Sequence, residues 1–292
     1  MRIVVTGREG QIVRSLLESA AGWPAVTIVP IGRPDFDLSR PATIRRNIFK
    51  AKPDLVVSAA AYTGVDRAES ERDLAFAINA TGAGKIAAAT AEIGIPLIHI
   101  STDYVFDGSS SLPYSEEATR LPQNVYGASK LAGELAVTAA NPLTIILRTA
   151  WVYSPFGANF VKTMLRLAKD HVEVDVVADQ WGNPTSAFDI AEGVLRISDL
   201  IASRQFAAYG AYHLAGAAET NWADFARSVY AISKSRGGPY ATVKNITTGQ
   251  YKTVAARPLN SRLSTEKFAR TFGWCPPGFQ QSMHRVIDRL VG

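Results

Sequence analysis

Two side chains in this chain of 292 residues are spaced to move a proton. Tyr126 and Lys130 stand four residues apart in Asn124-Val125-Tyr126-Gly127-Ala128-Ser129-Lys130, which reads as the opening of a helix continuing through Leu131-Ala132-Gly133-Glu134. Four residues make about one helical turn, so the phenol and the ammonium share a face. A free tyrosine, with a pKa of about 10, holds its proton too tightly for easy exchange at neutral pH. A unit charge about 4 Å away at an effective dielectric of about 20 is worth roughly 4 kcal/mol, or about three pKa units before desolvation subtracts from it. The spacing therefore predicts a phenol brought towards working pH by the ammonium, a general acid. An isolated Tyr-x-x-x-Lys is common on helix surfaces, so the pair needs its neighbours to carry the argument.

The first neighbour is Gly7-Arg8-Glu9-Gly10-Gln11-Ile12-Val13, between a strand and a helix. Glycine permits a tight turn there and lets a pyrophosphate approach the N–H groups of the helix start, which assigns Gly7, Gly10, Gln11 and Ile12 to a dinucleotide. Val13 replaces the third glycine of the usual fingerprint. It is expected to shift the helix slightly without abolishing binding. Beyond the second strand, Arg33 stands where an acid would grip the ribose hydroxyls of NAD. An arginine pairs instead with a 2′-phosphate, so NADP(H) is favoured and NAD(H) is the second choice. Asp37 and Leu38 follow and are placed beside the adenine. The run from Ser101 to Gly108 comes directly after a core strand, where ligands of open α/β sheets sit. A hydroxyl in that run can hydrogen-bond a substrate carbonyl and polarise it. A glycine turn, a Ser-Thr motif and a Tyr–Lys pair, in that order, point to an oxidoreductase in which a nicotinamide dinucleotide gives the hydride and Tyr126 the proton.

These groups need a scaffold, and short apolar runs supply it. Ile3–Thr6, Ala25–Val29, Leu55–Ser58, Leu97–Ile100 and Thr144–Leu147 are apolar at nearly every position, the mark of strands buried on both faces of a parallel sheet. Between the third and fourth, Leu74, Ile78, Ile86, Ala89 and Ile93 fall on helical spacing and Gly94 supplies a stop. The result is a βαβ series, an α/β fold with a Rossmann-type doubly wound parallel sheet. After about residue 150 the rhythm changes. Asn159–Ala168 and Ser186–Leu200 read as helices, Glu173–Val177 and Ala211–Ala215 as strands, Asp179–Thr185 as a polar loop, and another helix opens near Asn221. Residues 1–150, with about 185–203, are expected to form the NAD(P)-binding domain; 151–184 and about 204–292 are expected to form a smaller, interleaved substrate-binding domain.

Composition narrows the partners. The formal charge of +5 is modest and its lysines and arginines form no tract, which argues against nucleic acid and is compatible with an anionic small molecule. Cys275, the single cysteine, has no disulfide partner, and the four histidines show no metal spacing, so no metal site is expected. His99 lies in an apolar run and reads as a core residue. No apolar run approaches the roughly 20 residues needed to cross a bilayer, and the N-terminus reads as a strand rather than a secretory signal. The expectation is a cytoplasmic enzyme with no membrane partner.

Taken together, the motifs resemble the extended short-chain dehydrogenase/reductase family. The likeness sharpens with Ala59–Glu69, Ile78-Asn79-Ala80, Ser101–Phe106, Val125–Lys130, Arg148–Tyr153, Asn159–Met164, Asp179–Thr185 and Arg257–Leu263. Across essentially the whole chain these are similar to the dTDP-4-dehydrorhamnose reductase family. The resemblance implies reduction of the C4 ketone of a dTDP-4-dehydro-L-rhamnose substrate by NAD(P)H, with Tyr126 protonating the oxygen. By the same resemblance Lys130 lowers the tyrosine pKa and holds the nicotinamide ribose, while Thr102 and Asp103 handle the sugar oxygen or tune the proton relay. Trp151 packs near the sugar, with Val65 and Asp66 close by. Ala61, Tyr62 and Thr63 touch the cofactor, and Asn183 and Arg257 take the nucleotide end, Arg257 at the diphosphate. Two departures stand out: Tyr62 replaces a common histidine, and Ser15 and Phe188 stand where some members hold a bridging magnesium with acids. A monomer or weak homodimer without that metal is therefore expected. Two alternatives remain, an epimerase or other reductase acting on a different nucleotide sugar, and a non-catalytic dinucleotide-binding regulatory subunit.

Overall fold

Runs that are apolar on both sides must be sandwiched, and the computed structural model, which describes residues 1–203 and 206–292, shows the sandwich. β1 (Arg2–Thr6) leads through α1 (Gln11–Ser19) to β2 (Thr27–Ile31), and α2 (Ala42–Ala51) returns the chain to β3 (Leu55–Ser58). Three helical pieces follow, α3 (Val65–Ala68), α4 (Arg72–Phe76) and α5 (Ala83–Glu92). β4 (Leu97–Thr102) then leads through α6 (Val125–Ala140) to β5 (Thr144–Thr149). Next come β6 (Val152–Tyr153), α7 (Phe160–Asp170), β7 (Glu173–Val177), β8 (Trp181–Gly182), β9 (Thr185–Ser186) and α8 (Ala187–Ala202). The chain finishes with β10 (Gly210–His213), β11 (Thr220–Asn221), α9 (Trp222–Ser235), β12 (Thr242–Ile246), α10 (Glu266–Phe272) and α11 (Phe279–Val291).

Six strands make one parallel sheet in the order β10-β5-β4-β3-β1-β2. Alternate residues serve opposite faces. Ile3 and Val5 pack with α1, α8 and α10, whereas Val4 packs with α2, α5 and α6. This is the doubly wound α/β sheet expected. Its order reverses between β1 and β3, which opens a crevice beyond the carboxyl ends of those strands. A second core is built by β7 and β12, paired in parallel, under α7, α9 and α11, with Val161, Val176, Phe225 and Met283 inside.

Several expectations need correction. β2 runs from Thr27 to Ile31, two residues later than expected, and it is only half-buried because it is an edge strand, where Pro30 is tolerated. β4 and β5 extend to Thr102 and Thr149, so Thr102 ends a strand rather than following one. Leu74 and Ile93 are exposed although helical spacing put them with the buried Ile86 and Ala89. A π-helical stretch, Ala77–Gly82, intervenes, and its wider turn rotates the apolar face between α4 and α5. The polar loop Asp179–Thr185 contains β8 and joins β9, two-residue strands paired with β11 and β6 and too short to carry a periodicity. Finally, the sheet lobe reclaims part of the C-terminal segment: β10 is its sixth strand, and Phe268 and Phe272 of α10 sit in its core. A boundary near 203 therefore ends that lobe too early.

Candidate active site

Helix α6 starts where Asn124 caps it, the side chain accepting from the Gly127 N–H at 2.8 Å, a satisfied first-turn donor of the kind a helix start requires. Gly127 is obligatory for packing, because a methyl group there would collide with the Tyr104 carbonyl. Nearly two turns on, Gly133 backs onto the Asn79 carbonyl in the same way. Asn79, buried in the π-helical stretch, donates to Ser129 Oγ at 2.9 Å and clasps the backbone of Tyr62 from both sides. Lower on α6, Glu134 forms a bidentate pair with Arg148 of β5 (2.9 and 2.8 Å), and Ser101 Oγ donates to the same carboxylate at 2.6 Å. Both ion-pair partners are 1% exposed. The helix is thus pinned to the ends of β4 and β5, and its first turn faces the crevice.

The first two turns present Tyr126 and Lys130 to a cavity of about 860 Å³, together with Thr102, Asp103, Tyr104 and Trp151. Their electrostatics differ from the expected scheme. Lys130 Nζ donates to the Ile100 carbonyl at 2.7 Å, and burial brings its pKa down to about 8 against the opposing pull of Glu134. Tyr126 is pushed up to about 12, by burial first, with Asp103 adding to it and Thr102 opposing. The expectation of a phenol brought down towards working pH is therefore corrected for the protein by itself: burial raises it on balance. Asp103 is raised to about 6, by burial, while Ser261 and Thr102 pull it back. Thr102 spends its proton on Asp103 Oδ1 at 2.9 Å and accepts from the Tyr104 N–H at 3.2 Å. Its action on a sugar oxygen is therefore tied to the charge on Asp103. Tyr104, pushed up by burial, meets Tyr126 edge-on with ring centroids 5.6 Å apart. His99 is buried beside α6, and burial together with Lys130 keeps its imidazole neutral.

The other end of the cavity holds the glycine turn. Gly7 has φ +104°, a conformation that L side chains rarely adopt, and its N–H donates to the Ile31 carbonyl at 2.7 Å. Val13 is buried, with Cγ2 3.2 Å from where a Gly7 side chain would begin. The first glycine thus makes the room that the third usually makes. Gly10 is the N-cap of α1 and brings no side chain to it, leaving the first-turn N–H groups for an anion. Ile12, Gly32, Arg33, Phe36, Asp37 and Leu38 continue the lining. Arg8, which sequence reading passed over as a spacer, lies across Gly32, where a side chain would meet its Cγ at 3.0 Å, and also lines the cavity. Asp37 is held below the usual carboxylate range by the Ser39 hydroxyl and N–H.

Most of the sequence-derived residues converge here. Gly7, Gly10, Gln11, Ile12, Arg33, Asp37, Leu38, Ala61, Thr63 and Val65 line the cavity with the Tyr126 group. Four do not. The Tyr62 ring turns away and donates to Glu71 at 2.8 Å. Asp66 and Arg257 pair with each other at 2.7 Å, behind Tyr104. Asn183 is buried and fully engaged, donating to the Gly216 carbonyl at 3.0 Å and accepting from the Leu263 N–H at 2.9 Å. The amide of Asn183 ties the loops of Gly216 and Leu263 together and does not line the cavity. Sequence reading also missed Gly157 and Ala158, which reach the cavity from the second lobe. Their only local signal is the glycine itself, at φ +60°.

The family model described as the RmlD substrate binding domain matches residues 1–291. A curated relative, the dTDP-4-dehydrorhamnose reductase of Sinorhizobium fredii, is 48% identical over 292 residues, covering 100% of this chain and 98% of its own. A crystal structure of a dTDP-4-dehydrorhamnose reductase from Clostridium acetobutylicum superposes with a TM-score of 0.92 at 36% identity, covering 99% of both chains. One from Bacillus anthracis, in complex with NADP, gives a TM-score of 0.89 at 35% identity, again covering 99% of both.

Proposed function

The chain belongs to the RmlD substrate binding domain family, and from that premise we propose that it reduces the C4 ketone of dTDP-4-dehydro-L-rhamnose to dTDP-L-rhamnose, favouring NADPH and accepting NADH. The observation that carries this reading is one cavity with an uncapped glycine-turn helix and Arg33 at one end and Tyr126, Lys130, Thr102 and Trp151 at the other. The turn fits a dinucleotide: Gly7 is in a backbone state only glycine takes freely, and the α1 amides have no side-chain cap. Gly7, Gly10, Gln11 and Ile12 would hold the pyrophosphate, Arg33 the 2′-phosphate, Asp37 and Leu38 the adenosine, and Ala61 to Thr63 the stretch towards the nicotinamide. When bound, that group supplies the hydride.

The chain itself supplies the proton and the orientation. Tyr126, with its proton held through neutral pH, gives it to the oxygen at C4 as negative charge develops there. Lys130 is predominantly an ammonium at neutral pH and stabilises the phenolate left behind, besides donating to the nicotinamide ribose. Thr102 orients the same oxygen, with Asp103 setting the direction of its hydroxyl. Trp151, held by a parallel stack on Trp222 at 3.5 Å, walls the sugar, and Val65 packs at its edge. Arg257 takes the diphosphate from the side where Asp66 now holds it.

We assign the dinucleotide to the sheet lobe and the nucleotide sugar to the second lobe. The protein is read as cytoplasmic, a monomer or weak homodimer that binds no nucleic acid; no helix among the described residues is long and apolar enough to cross a membrane. At the two positions where some members hold a bridging metal, Arg285 lies 3.6 Å over the Phe188 ring and Ser15 is buried, and neither offers a carboxylate. The test is consumption of NADPH with dTDP-4-dehydro-L-rhamnose. Net oxidation is expected. Interconversion of sugars without net oxidation would mean an epimerase, and cofactor binding without turnover of any dTDP- or UDP-ketosugar would mean a regulatory subunit.

A further inference from the structure

Gln11 is the first residue of α1, so its backbone belongs to the turn assigned to the dinucleotide. Its side chain does something else. Gln11 Oε1 accepts from Ser154 Oγ at 2.8 Å and from Asn159 Nδ2 at 3.0 Å, and Nε2 reaches towards the Val152 carbonyl at 3.5 Å. Val152 opens β6 directly after Trp151, and Ser154 and Asn159 lie in the loop between β6 and α7, the first helix of the other lobe. Asn159 caps α7 by accepting from the Lys162 N–H at 3.2 Å, and donates to the Ser154 carbonyl at 2.8 Å. Gly157, in the same loop, sits against Gln11, whose Cγ lies 3.4 Å from where a side chain would begin. Ser154 is fully buried, and without Gln11 its hydroxyl would keep only the Phe156 backbone, at 3.1 Å on both sides. Trp151 itself sits at φ +48°, a strained position for a non-glycine residue that its surroundings must enforce.

We propose that Gln11 is a positioning residue that makes the binding of dinucleotide and nucleotide sugar cooperative. One amide fastens both the turn that takes the pyrophosphate and the loop that presents Trp151. Ordering either side therefore lowers the entropic cost of ordering the other. Such coupling is reciprocal: whatever factor the sugar nucleotide adds to dinucleotide affinity, the dinucleotide returns. The identity of the two ligands rests on the functional reading above; the fastening rests on the hydrogen bonds alone.

The experiment is NADP+ affinity by calorimetry with and without saturating dTDP, on the wild type, Gln11→Leu, Ser154→Ala and the double variant, each checked for native secondary structure. In the wild type dTDP is expected to tighten NADP+ by about fivefold or more, the lower end of ordinary coupling. Gln11→Leu and Ser154→Ala should each bring that ratio towards one, and the double variant should fall no further than Gln11→Leu alone. A wild-type ratio of one overturns the proposal, as does a Gln11→Leu ratio equal to that of the wild type. If Gln11→Leu does not fold, Ser154→Ala carries the test, since Ser154 lies outside the cavity lining, and an unchanged ratio then overturns it. Cooperativity without ketosugar turnover would refute the functional reading and leave the coupling standing. Turnover without cooperativity would do the reverse.

Discussion

Tyr126 keeps its proton because burial and the Asp103 carboxylate both oppose a phenolate. For a reductase this is an advantage, since the group must start protonated and yield to a stronger base formed only as hydride arrives. Tyr126→Phe is expected to lower kcat by about 10²–10⁴, the usual worth of a positioned general acid, with NADPH affinity within about threefold. Steady-state kinetics beside a binding titration check both halves. Lys130 titrates from about 8 in the unliganded protein, charged below that pH and neutral above it. kcat/KM, which reports the free enzyme, should therefore fall as pH rises through about 8, and Lys130→Arg should move the fall upward. An alkaline limb at the same place in both forms would remove Lys130 from this role. At the other end, Arg33→Ala should raise KM for NADPH by about 10–100-fold, matching the roughly 1.5–3 kcal/mol of a charge-assisted hydrogen bond, and leave NADH nearly unchanged.

Helix α6 brings these residues to the crevice, and its anchorage is specific. The Glu134–Arg148 pair is buried between helix and sheet, so removing Glu134 strands the Arg148 charge. Glu134→Ala should cost about 3–5 kcal/mol in stability, while replacing both partners with leucine and methionine should recover much of it. Denaturant melts of the single and double variants decide this. How such elements were legible differs along the chain. β1, β3, β4 and β5 declared themselves because a strand buried on both faces is apolar at most positions. β2 drifted because an edge strand need not be apolar throughout, and β8 and β9 were invisible because two residues hold no period. The π-helical turn escaped because a wider turn looks, in sequence, like a lapse of helical spacing. The site was read through local motifs, which place Tyr126, Lys130 and Gly7 but not their surroundings. The upward shift of Tyr126 and the reach of Gln11 to Ser154 depend on burial and on contacts more than a hundred residues apart.

The whole molecule is two cores that share one cavity. The sheet lobe takes back β10 and α10 after the chain has visited the second lobe, so the two are crossed by several strands of chain and meet around Tyr126, Trp151 and the glycine turn. That arrangement gives a hydride donor and a ketone a common space, with the proton donor at the sheet end and the aromatic wall at the other lobe. The central claim is that hydride reaches C4 of a ketosugar nucleotide there. It is tested most directly by turning over dTDP-4-dehydro-L-rhamnose with NADPH deuterated at the transferring position and locating the label by NMR. One deuterium at C4 of dTDP-L-rhamnose is the predicted result. Label at any other carbon, or product formed with the cofactor still fully deuterated, would contradict it.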